Sequence, residues 1–249
     1  MENIGLSVER NIQSGEMGMI VAKMVKAAEG LAALTKATLS KIGGDETLYE
    51  IAPGYSHRAS GAYYDDTGNS DGWQKEVYEA AREIMRTNGL RTIYDVGCGS
   101  GYKLINILGE YDTIGIDLPQ TIDVVKTRYS DRKWLTASFD DTNLPNADLV
   151  ICSDVIEHVD DPDALMHFIV NCAKDWIVIS TPDRDLIYRH RLLNKSYYGP
   201  PDNPSHIREW TMPEFRRYVE PFVKIERHAI TNHEQATQML IARRERDKP

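Results

Sequence analysis

The sequence predicts an α/β fold, a doubly wound and mostly parallel sheet with helices on both faces. Three observations favour it: short apolar runs alternate with helical patterns after residue 72, a glycine-rich stretch follows the first such run, and no internal repeat interrupts the alternation. Strands that alternate with helices are joined by right-handed crossovers, which place helices on both sides of the sheet. Because ligands of such sheets bind beyond the carboxyl ends of the strands, the residues that follow each strand are the candidates for a site.

Residues 1–72 are predicted to form an N-terminal helical extension that continues into a loop. Apolar residues recur at three- and four-residue steps over Met17–Leu34, the pattern of an amphipathic helix, and Gly43-Gly44 ends it. Residues Pro53–Gly72 are rich in Gly, Ser, Asp and Tyr, which favours a loop. The apolar stripe of the helix must be covered, either because the helix caps a pocket or because it pairs with its copy in a homodimer.

Residues 73–249 are predicted to form the second unit, which carries the alternating pattern. Its predicted helices are Trp73–Met85, Tyr102–Leu108, one that opens at Pro119, one over Pro162–Cys172 with Asp161 as its cap, and one that opens at the capping box Thr211–Glu214. Its predicted strands are Thr92–Val96, Thr113–Ile116, Trp134–Ser138, Asp148–Cys152, Trp176–Ser180, Phe222–Arg227 and Thr237–Ala242.

Composition narrows the class of protein. The chain has 38 acidic and 29 basic residues and a formal net charge of −9, which argues against a broad nucleic-acid footprint. Its three cysteines lack the spacing of metal ligands, and a sparse odd count favours reduced thiols. The apolar runs are far shorter than the roughly 20 residues of a membrane span. We therefore expect a cytoplasmic protein with no membrane span and no nucleic-acid partner.

A glycine-rich loop, Gly97 to Gly101, follows the first predicted strand and precedes a helix. Glycine permits positive φ and close approach of the backbone to a ligand. A dinucleotide fingerprint needs a small residue at its sixth position, where Tyr102 stands, and no Gly-Lys-Ser/Thr follows as in a P-loop. Asp95, at the mouth of the loop, suits a cationic ligand better than a pyrophosphate.

Asp117 ends the second predicted strand, about 20 residues after the first loop glycine, the separation at which a carboxylate can accept hydrogen bonds from both ribose hydroxyls. The alternative is that Asp117 caps the helix that opens at Pro119. The loop and the acid together favour binding of a nucleoside.

These motifs resemble the class I S-adenosylmethionine-dependent methyltransferases. The resemblance rests on Ile93–Gly101, Gly115–Asp117, Asp140–Pro145 and Ala147–Val159, and it covers roughly residues 73–242 in order and spacing. It implies a Rossmann-like seven-stranded sheet in which one of the last two strands is antiparallel. It also implies S-adenosylmethionine as the cofactor. Residues 1–72 carry no signal of this family.

The resemblance further implies roles for individual residues. The loop glycines would pass beneath the methionine part of the cofactor, with Asp95 near its ammonium group. Asp117 would hold the ribose, and Asp140 would accept from the adenine amino group with Phe139 beside the ring. The predicted cofactor contacts are Asp95, Gly97, Cys98, Gly99, Gly101, Asp117, Leu118, Phe139, Asp140, Ser153, Tyr64 and Gln74.

His158 and His206 are the candidate catalytic residues, because a hydroxyl acceptor must lose its proton and a positioned base contributes about 10²–10⁴-fold. His158 follows Glu157 just past the fourth predicted strand, and a packing role is its alternative. His206 belongs to a loop before the capped helix, in a stretch similar to one in the small-molecule branch of the family.

No metal site is predicted. Glu157 and His158 are adjacent, but the other acids are scattered over two strand ends. The stretch Thr181–Arg184 also departs from the Asp-Asn pair that some methyltransferases use to hold Mg²⁺. The basic and aromatic residues between Arg184 and Arg208 would form either a positive rim for an acidic acceptor or a solvated helix face.

The sequence thus predicts transfer of a methyl group to an oxygen, or a nitrogen, of a small molecule such as a sugar, a quinone precursor or a secondary metabolite. Three alternatives stay open. They are methylation of a protein or RNA, a cofactor-binding interaction module without catalysis, and a pyridine-nucleotide dehydrogenase, which Tyr102 disfavours.

Overall fold

The computed structural model describes residues 2–43, 47–70, 72–139, 144–189 and 194–245, with side chains described from residue 18 onwards. Its helices are α1 (Glu2–Gly43), α2 (Lys75–Asn88), α3 (Tyr102–Leu108), α4 (Pro119–Arg128), α5 (Pro162–Cys172), α6 (Arg184–Ile187) and α7 (Met212–Val219), with a short 3₁₀ helix at Lys195–Tyr198. Its strands are β1 (Thr92–Val96), β2 (Asp112–Asp117), β3 (Lys133–Thr136), β4 (Ala147–Ser153), β5 (Ala173–Pro182), β6 (Lys224–Asn232) and β7 (Thr237–Arg243).

The strands of the described residues form a seven-stranded sheet in the order β3-β2-β1-β4-β5-β7-β6. Strands β1 to β5 pair in parallel, while β7 is antiparallel to both of its neighbours. The predicted doubly wound, mostly parallel sheet with one antiparallel strand is therefore confirmed. Strand order reverses between β1 and β4, so the carboxyl ends of these two strands border the crevice where such sheets bind ligands.

Alternation along each central strand divides the core between the two faces of the sheet. Tyr94 and Val150 belong to the cluster under α5 and α7, while Ile93, Leu149 and Ile151 belong to the cluster under α2, α3 and α4. Because successive side chains of a strand point to opposite faces, strands covered on both sides are apolar at nearly every position. This explains the short continuous apolar runs of the sequence.

Helix α1 packs on the body with a face other than its apolar stripe. The apolar stripe read from the sequence points outward, and Met24 and Leu31 are 67% and 62% exposed. The opposite side packs on the body through small residues: a Cβ on Gly54 would lie 2.6 Å from the Ala37 Cα. Among the residues whose side chains are described, nothing thus covers the stripe. No helix among the described residues is both long and apolar enough to cross a membrane.

Candidate active site

The glycine loop connects the carboxyl end of β1 to α3. Gly97, Gly99 and Gly101 all have positive φ, at 77°, 50° and 70°. The Gly97 N–H donates to the Ile116 carbonyl at 2.8 Å, which ties the loop to β2. A Cβ on Gly97 would lie 2.2 Å from the Val155 Cγ2, so the segment after β4 packs directly on bare backbone here. Only glycine combines this conformation with this closeness.

Two predicted carboxylates flank the loop. Asp95 is fully buried, and its Oδ2 accepts a 2.9 Å hydrogen bond from the Tyr78 hydroxyl. Its Oδ1 has no hydrogen-bond partner among the described residues, and burial raises the pKa of Asp95 to about 7. Asp117 accepts from the Gly99 N–H at 2.9 Å and from the Leu118 N–H at 2.7 Å. Burial also raises the pKa of Asp117.

A third carboxylate, Asp66, is a residue that sequence reasoning missed. It comes from the loop before α2 and lies against Gly99, where an added Cβ would be 1.8 Å from its Oδ2. Burial and the negative charge of Asp117 raise the pKa of Asp66 to about 6. The only signal in the sequence is the acidic pair Asp65-Asp66, which does not reveal that one member folds back. Three carboxylates thus surround the loop.

Tyr64 and Gln74 contact the segment after β4. The Tyr64 ring stacks on His158 at 6.2 Å between centroids and remains 57% exposed. The Gln74 side chain hydrogen-bonds to the Asp154 carboxylate. Both residues therefore lie at the border between the glycine loop and the histidines.

The remaining predicted cofactor contacts lie in different surroundings. Cys98 is buried beside Gly115, and Leu118 is exposed next to Asp117. The Ser153 hydroxyl lies 2.8 Å from that of Ser180 on β5. Phe139 packs against Phe168 of α5 at 5.8 Å, which is a core contact. Asp140 lies outside the described residues.

The two candidate catalytic histidines, 48 positions apart in the chain, lie edge to face with ring centroids 4.8 Å apart. The His158 Nδ1 donates to the Ser205 carbonyl at 2.9 Å, since a carbonyl can only accept. The His206 Nδ1 lies 2.7 Å from the Glu209 carboxylate, and its Nε2 lies 2.9 Å from the Asn203 amide nitrogen. Both side chains are largely enclosed, and burial lowers the pKa of His158.

Glu157 is the third member of this polar cluster. Its side chain is fully buried, its Oε2 accepts from the Thr181 hydroxyl at 2.9 Å, and its Oε1 has no hydrogen-bond partner among the described residues. Burial, with the nearby charge of Asp154, raises the pKa of Glu157 to about 8. The Glu157 carbonyl accepts from the Ile207 N–H at 2.8 Å, which holds the His206 loop against the segment after β4.

Arg184 and Arg208 lie in the interior, so neither a positive rim nor a solvated face describes them. Arg184 donates two 2.8 Å hydrogen bonds to Glu214 and stacks between Tyr55 and Tyr197. Arg208 donates to the carbonyls of Val159 and Asp160. A cleft of about 250 Å³ beside α1 is lined by Arg184 and Glu214, apart from the glycine loop and the histidines. Both arginines hold loops together.

The class I methyltransferase fold is defined by four features found here. They are the sheet order, the antiparallel β7, the glycine loop after β1 and the acid that ends β2. Residues 71–222 match the family described as "Methyltransferase domain", and the chain belongs to this family. The resemblance drawn from the motifs is thereby confirmed. No protein of curated function matches the sequence significantly.

Three solved structures illustrate the likeness. The Synechocystis PCC 6803 magnesium protoporphyrin IX methyltransferase with bound SAH is 17% identical, with 72% of this chain and 90% of that chain covered and a TM-score of 0.52. A methyltransferase complexed with the Haloferax volcanii Trm112 methyltransferase activator is 15% identical, with 74% and 99% covered and a TM-score of 0.53. An O-methyltransferase family protein from Burkholderia thailandensis is 15% identical, with 70% and 56% covered and a TM-score of 0.51. These likenesses concern the fold.

Proposed function

We propose that this chain transfers the methyl group of S-adenosylmethionine to an oxygen of a small molecule. The observation that carries the proposal is the contact between Gly97 and Val155, which puts the glycine loop directly beside the segment that bears Glu157 and His158. A methyl donor bound over the loop would therefore lie next to polar groups that can orient and activate an acceptor hydroxyl.

The residues around the loop fit this cofactor. It carries a sulfonium and an ammonium group. The buried Oδ1 of Asp95, which has no hydrogen-bond partner among the described residues, offers an anionic acceptor for such charge. Asp117 lies at the end of β2, where a carboxylate can hold a ribose. Asp66 adds a third negative group, since its carboxylate touches Gly99. A structural neighbour with SAH bound supports the same assignment.

The cofactor supplies a methyl group that is already activated by its sulfonium. The chain must then align the acceptor with that methyl carbon and exclude water, which is worth roughly 7–11 kcal/mol in well-oriented pairs. His158 and His206 remain the predicted catalytic residues: they border the loop, are largely enclosed, and activate the acceptor hydroxyl. This polar cluster favours oxygen over nitrogen, because a neutral amine needs no such help.

A macromolecular acceptor is the alternative, and the neighbour in complex with a methyltransferase activator is the observation in its favour. The net charge of −9 speaks against RNA as the acceptor.

We also propose that residues 1–72 form an extension to a methyltransferase domain at 73–249, that the protein is cytoplasmic, and that it pairs with its copy through α1.

Calorimetric titration of the full chain with S-adenosylmethionine and, separately, with NAD tests the cofactor. We expect binding of the first only, and binding of NAD alone would overturn the proposal. Release of S-adenosylhomocysteine is then measured with panels of hydroxylated small molecules, amines, RNA and protein. Turnover confined to RNA or protein would favour the alternative.

A further inference from the structure

Glu157, His158 and His206 each bring one oxygen or nitrogen donor atom to within 4.8 Å of the other two. The donors come from two segments, one after β4 and one before α7, that are joined by the hydrogen bond between the Glu157 carbonyl and the Ile207 N–H. Two imidazoles and a carboxylate form a donor set that suits catalytic Zn²⁺ and other divalent transition metals.

The other polar atom of each of these side chains already has a partner. Thr181 donates to the Glu157 Oε2, the His158 Nδ1 donates to the Ser205 carbonyl, and the His206 Nδ1 lies 2.7 Å from the Glu209 carboxylate. Partners of this kind orient metal ligands, and a carboxylate behind a histidine is the commonest form. They leave the Glu157 Oε1, the His158 Nε2 and the His206 Nε2 with their lone pairs.

The Glu157 Oε1 is the atom of this cluster that most strongly indicates a bound ligand. It belongs to a fully buried side chain and has no hydrogen-bond partner among the described residues; the His158 Nε2 is 3.9 Å away. An unpartnered carboxylate oxygen in the interior is costly unless it is paired or coordinates a metal. The Asp154 carboxylate adds negative charge beside both histidines.

We propose that Glu157, His158 and His206 bind one divalent transition-metal ion, of the Zn²⁺ or Mn²⁺ class. This departs from the expectation drawn from the sequence, which sees Glu157 and His158 as neighbours but not that His206 folds onto them. The metal displaces the Asn203 amide, which lies 2.9 Å from the His206 Nε2. Because three protein ligands would leave a coordination position open, an acceptor hydroxyl bound there would release its proton to solvent more easily. That last step rests on the proposed function, whereas metal binding does not.

The test uses the full chain freed of metal by a chelator and titrated with ZnCl₂, MnCl₂ and CoCl₂. We expect one Zn²⁺ or Mn²⁺ per chain by calorimetry, and with Co²⁺ a visible absorption band, which reports histidine and carboxylate coordination without any substrate. Glu157→Gln keeps the shape of the side chain, and we expect it to weaken binding at least tenfold, as we expect of His206→Ala. His167→Ala, which removes an exposed histidine of α5, should bind as the wild type does.

Lack of stoichiometric binding to the wild-type chain would overturn the inference, and so would unchanged affinity in a folded Glu157→Gln variant. The proposed function is judged separately. If the chelated enzyme still methylates an acceptor at the full rate, the proposed function stands and the metal has no part in the reaction. If the chain binds Co²⁺ at this cluster but does not bind S-adenosylmethionine, the proposed metal site stands and the proposed function is wrong.

Discussion

Gly99 is the residue on which the shape of the glycine loop depends most directly. Its φ of 50° and the Asp66 carboxylate above it leave no room for a side chain. We expect Gly99→Ala to weaken S-adenosylmethionine binding at least tenfold, because the methyl group displaces Asp66 and occupies the place of the ligand. Calorimetry with the cofactor measures the effect.

Gly89 provides the matched control for this change. It has a comparable φ of 62°, at the end of α2, but a Cβ there meets no atom of the described part of the chain within 4 Å. Gly89→Ala should therefore lose only the cost of a left-handed backbone, about 1–2 kcal/mol of unfolding free energy, and keep its affinity for the cofactor. Equal loss of affinity in both variants would assign the effect to stability rather than to the loop.

Asp66 and Asp95 make stability depend on pH in a definite direction. Their pKa values, about 6 and about 7, are raised above the ordinary value of an unfolded aspartate, which is about 3.9. Between these values the folded chain binds more protons than the unfolded chain. The contribution of these two groups to stability is therefore greatest below the unfolded pKa, and it is lost as the pH rises through the folded pKa values.

Asp66→Asn tests this relation. Denaturation by urea at pH 4.5 and at pH 7.5 should show that the variant loses less stability over this interval than the wild type, by on the order of 1–2 kcal/mol. Asp65→Asn is the control, because Asp65 is exposed and the Thr67 hydrogen bond lowers its pKa. An unchanged difference between the two pH values in Asp66→Asn would contradict the placement of its carboxylate over the loop.

At the scale of single residues, the sequence predicts where loop glycines and strand-end acids lie. It does not predict contacts between residues that are far apart in the chain. Gly97 and Asp117 could be identified because a loop glycine and an acid at a strand end depend on their own strand and turn. Asp66 meets Gly99 across 33 positions, and His206 meets His158 across 48, so only the packing of the whole chain brings them together. Arg184 was misjudged for the same reason: its partner Glu214 is 30 positions away.

Helix α5 illustrates how well element boundaries can be predicted when a cap is present. Asp161 accepts from the N–H groups of Asp163 and Ala164, as its position before Pro162 predicts. We expect Asp161→Ala to cost about 1 kcal/mol of unfolding free energy, because two N–H groups lose their acceptor. Thermal or urea denaturation measures this, and Asp160→Ala, one position earlier and also exposed, should cost less. An equal cost would mean that the cap contributes nothing.

Helix α1 shows the limit of periodicity. A repeat at three and four residues reveals an apolar stripe but not whether the protein's own body covers it, and here small residues such as Ala37 make the contact instead. The outward stripe over Val21, Met24, Ala28 and Leu31 follows alternating steps of three and four, the spacing by which two helices pack together.

A second copy of the chain is the partner that this spacing suits. We expect a dimer by light scattering after size-exclusion chromatography, and a monomer in Met24→Lys or Leu31→Lys, because a charge in the seam opposes packing. Lys23→Gln, an exposed change outside the seam, should remain dimeric. A wild-type chain that is monomeric at micromolar concentration would exclude this role for α1.

For the whole molecule, the parallel sheet is the reason why distant motifs form one site. Strands β1, β2 and β4 run in the same direction, so the residues that follow them meet at one edge even though they span residues 97–158. Alternating strand and helix patterns predict this edge. The place of the antiparallel β7 between β5 and β6 does not follow from periodicity, because no local pattern distinguishes an inserted strand from an edge strand; it came from the family resemblance.

The segment that carries Tyr64 and Asp66 is held by hydrogen bonds at both of its ends. Arg58 donates to the carbonyls of Pro201 and His206, and the Gln74 N–H donates to the Gln235 side chain. Between these anchors the Ala62 N–H donates to the Pro204 carbonyl at 2.9 Å, so the segment is also tied to the loop that carries His206. Because the same segment contacts both the glycine loop and His158, loss of either anchor should disturb both halves of the site.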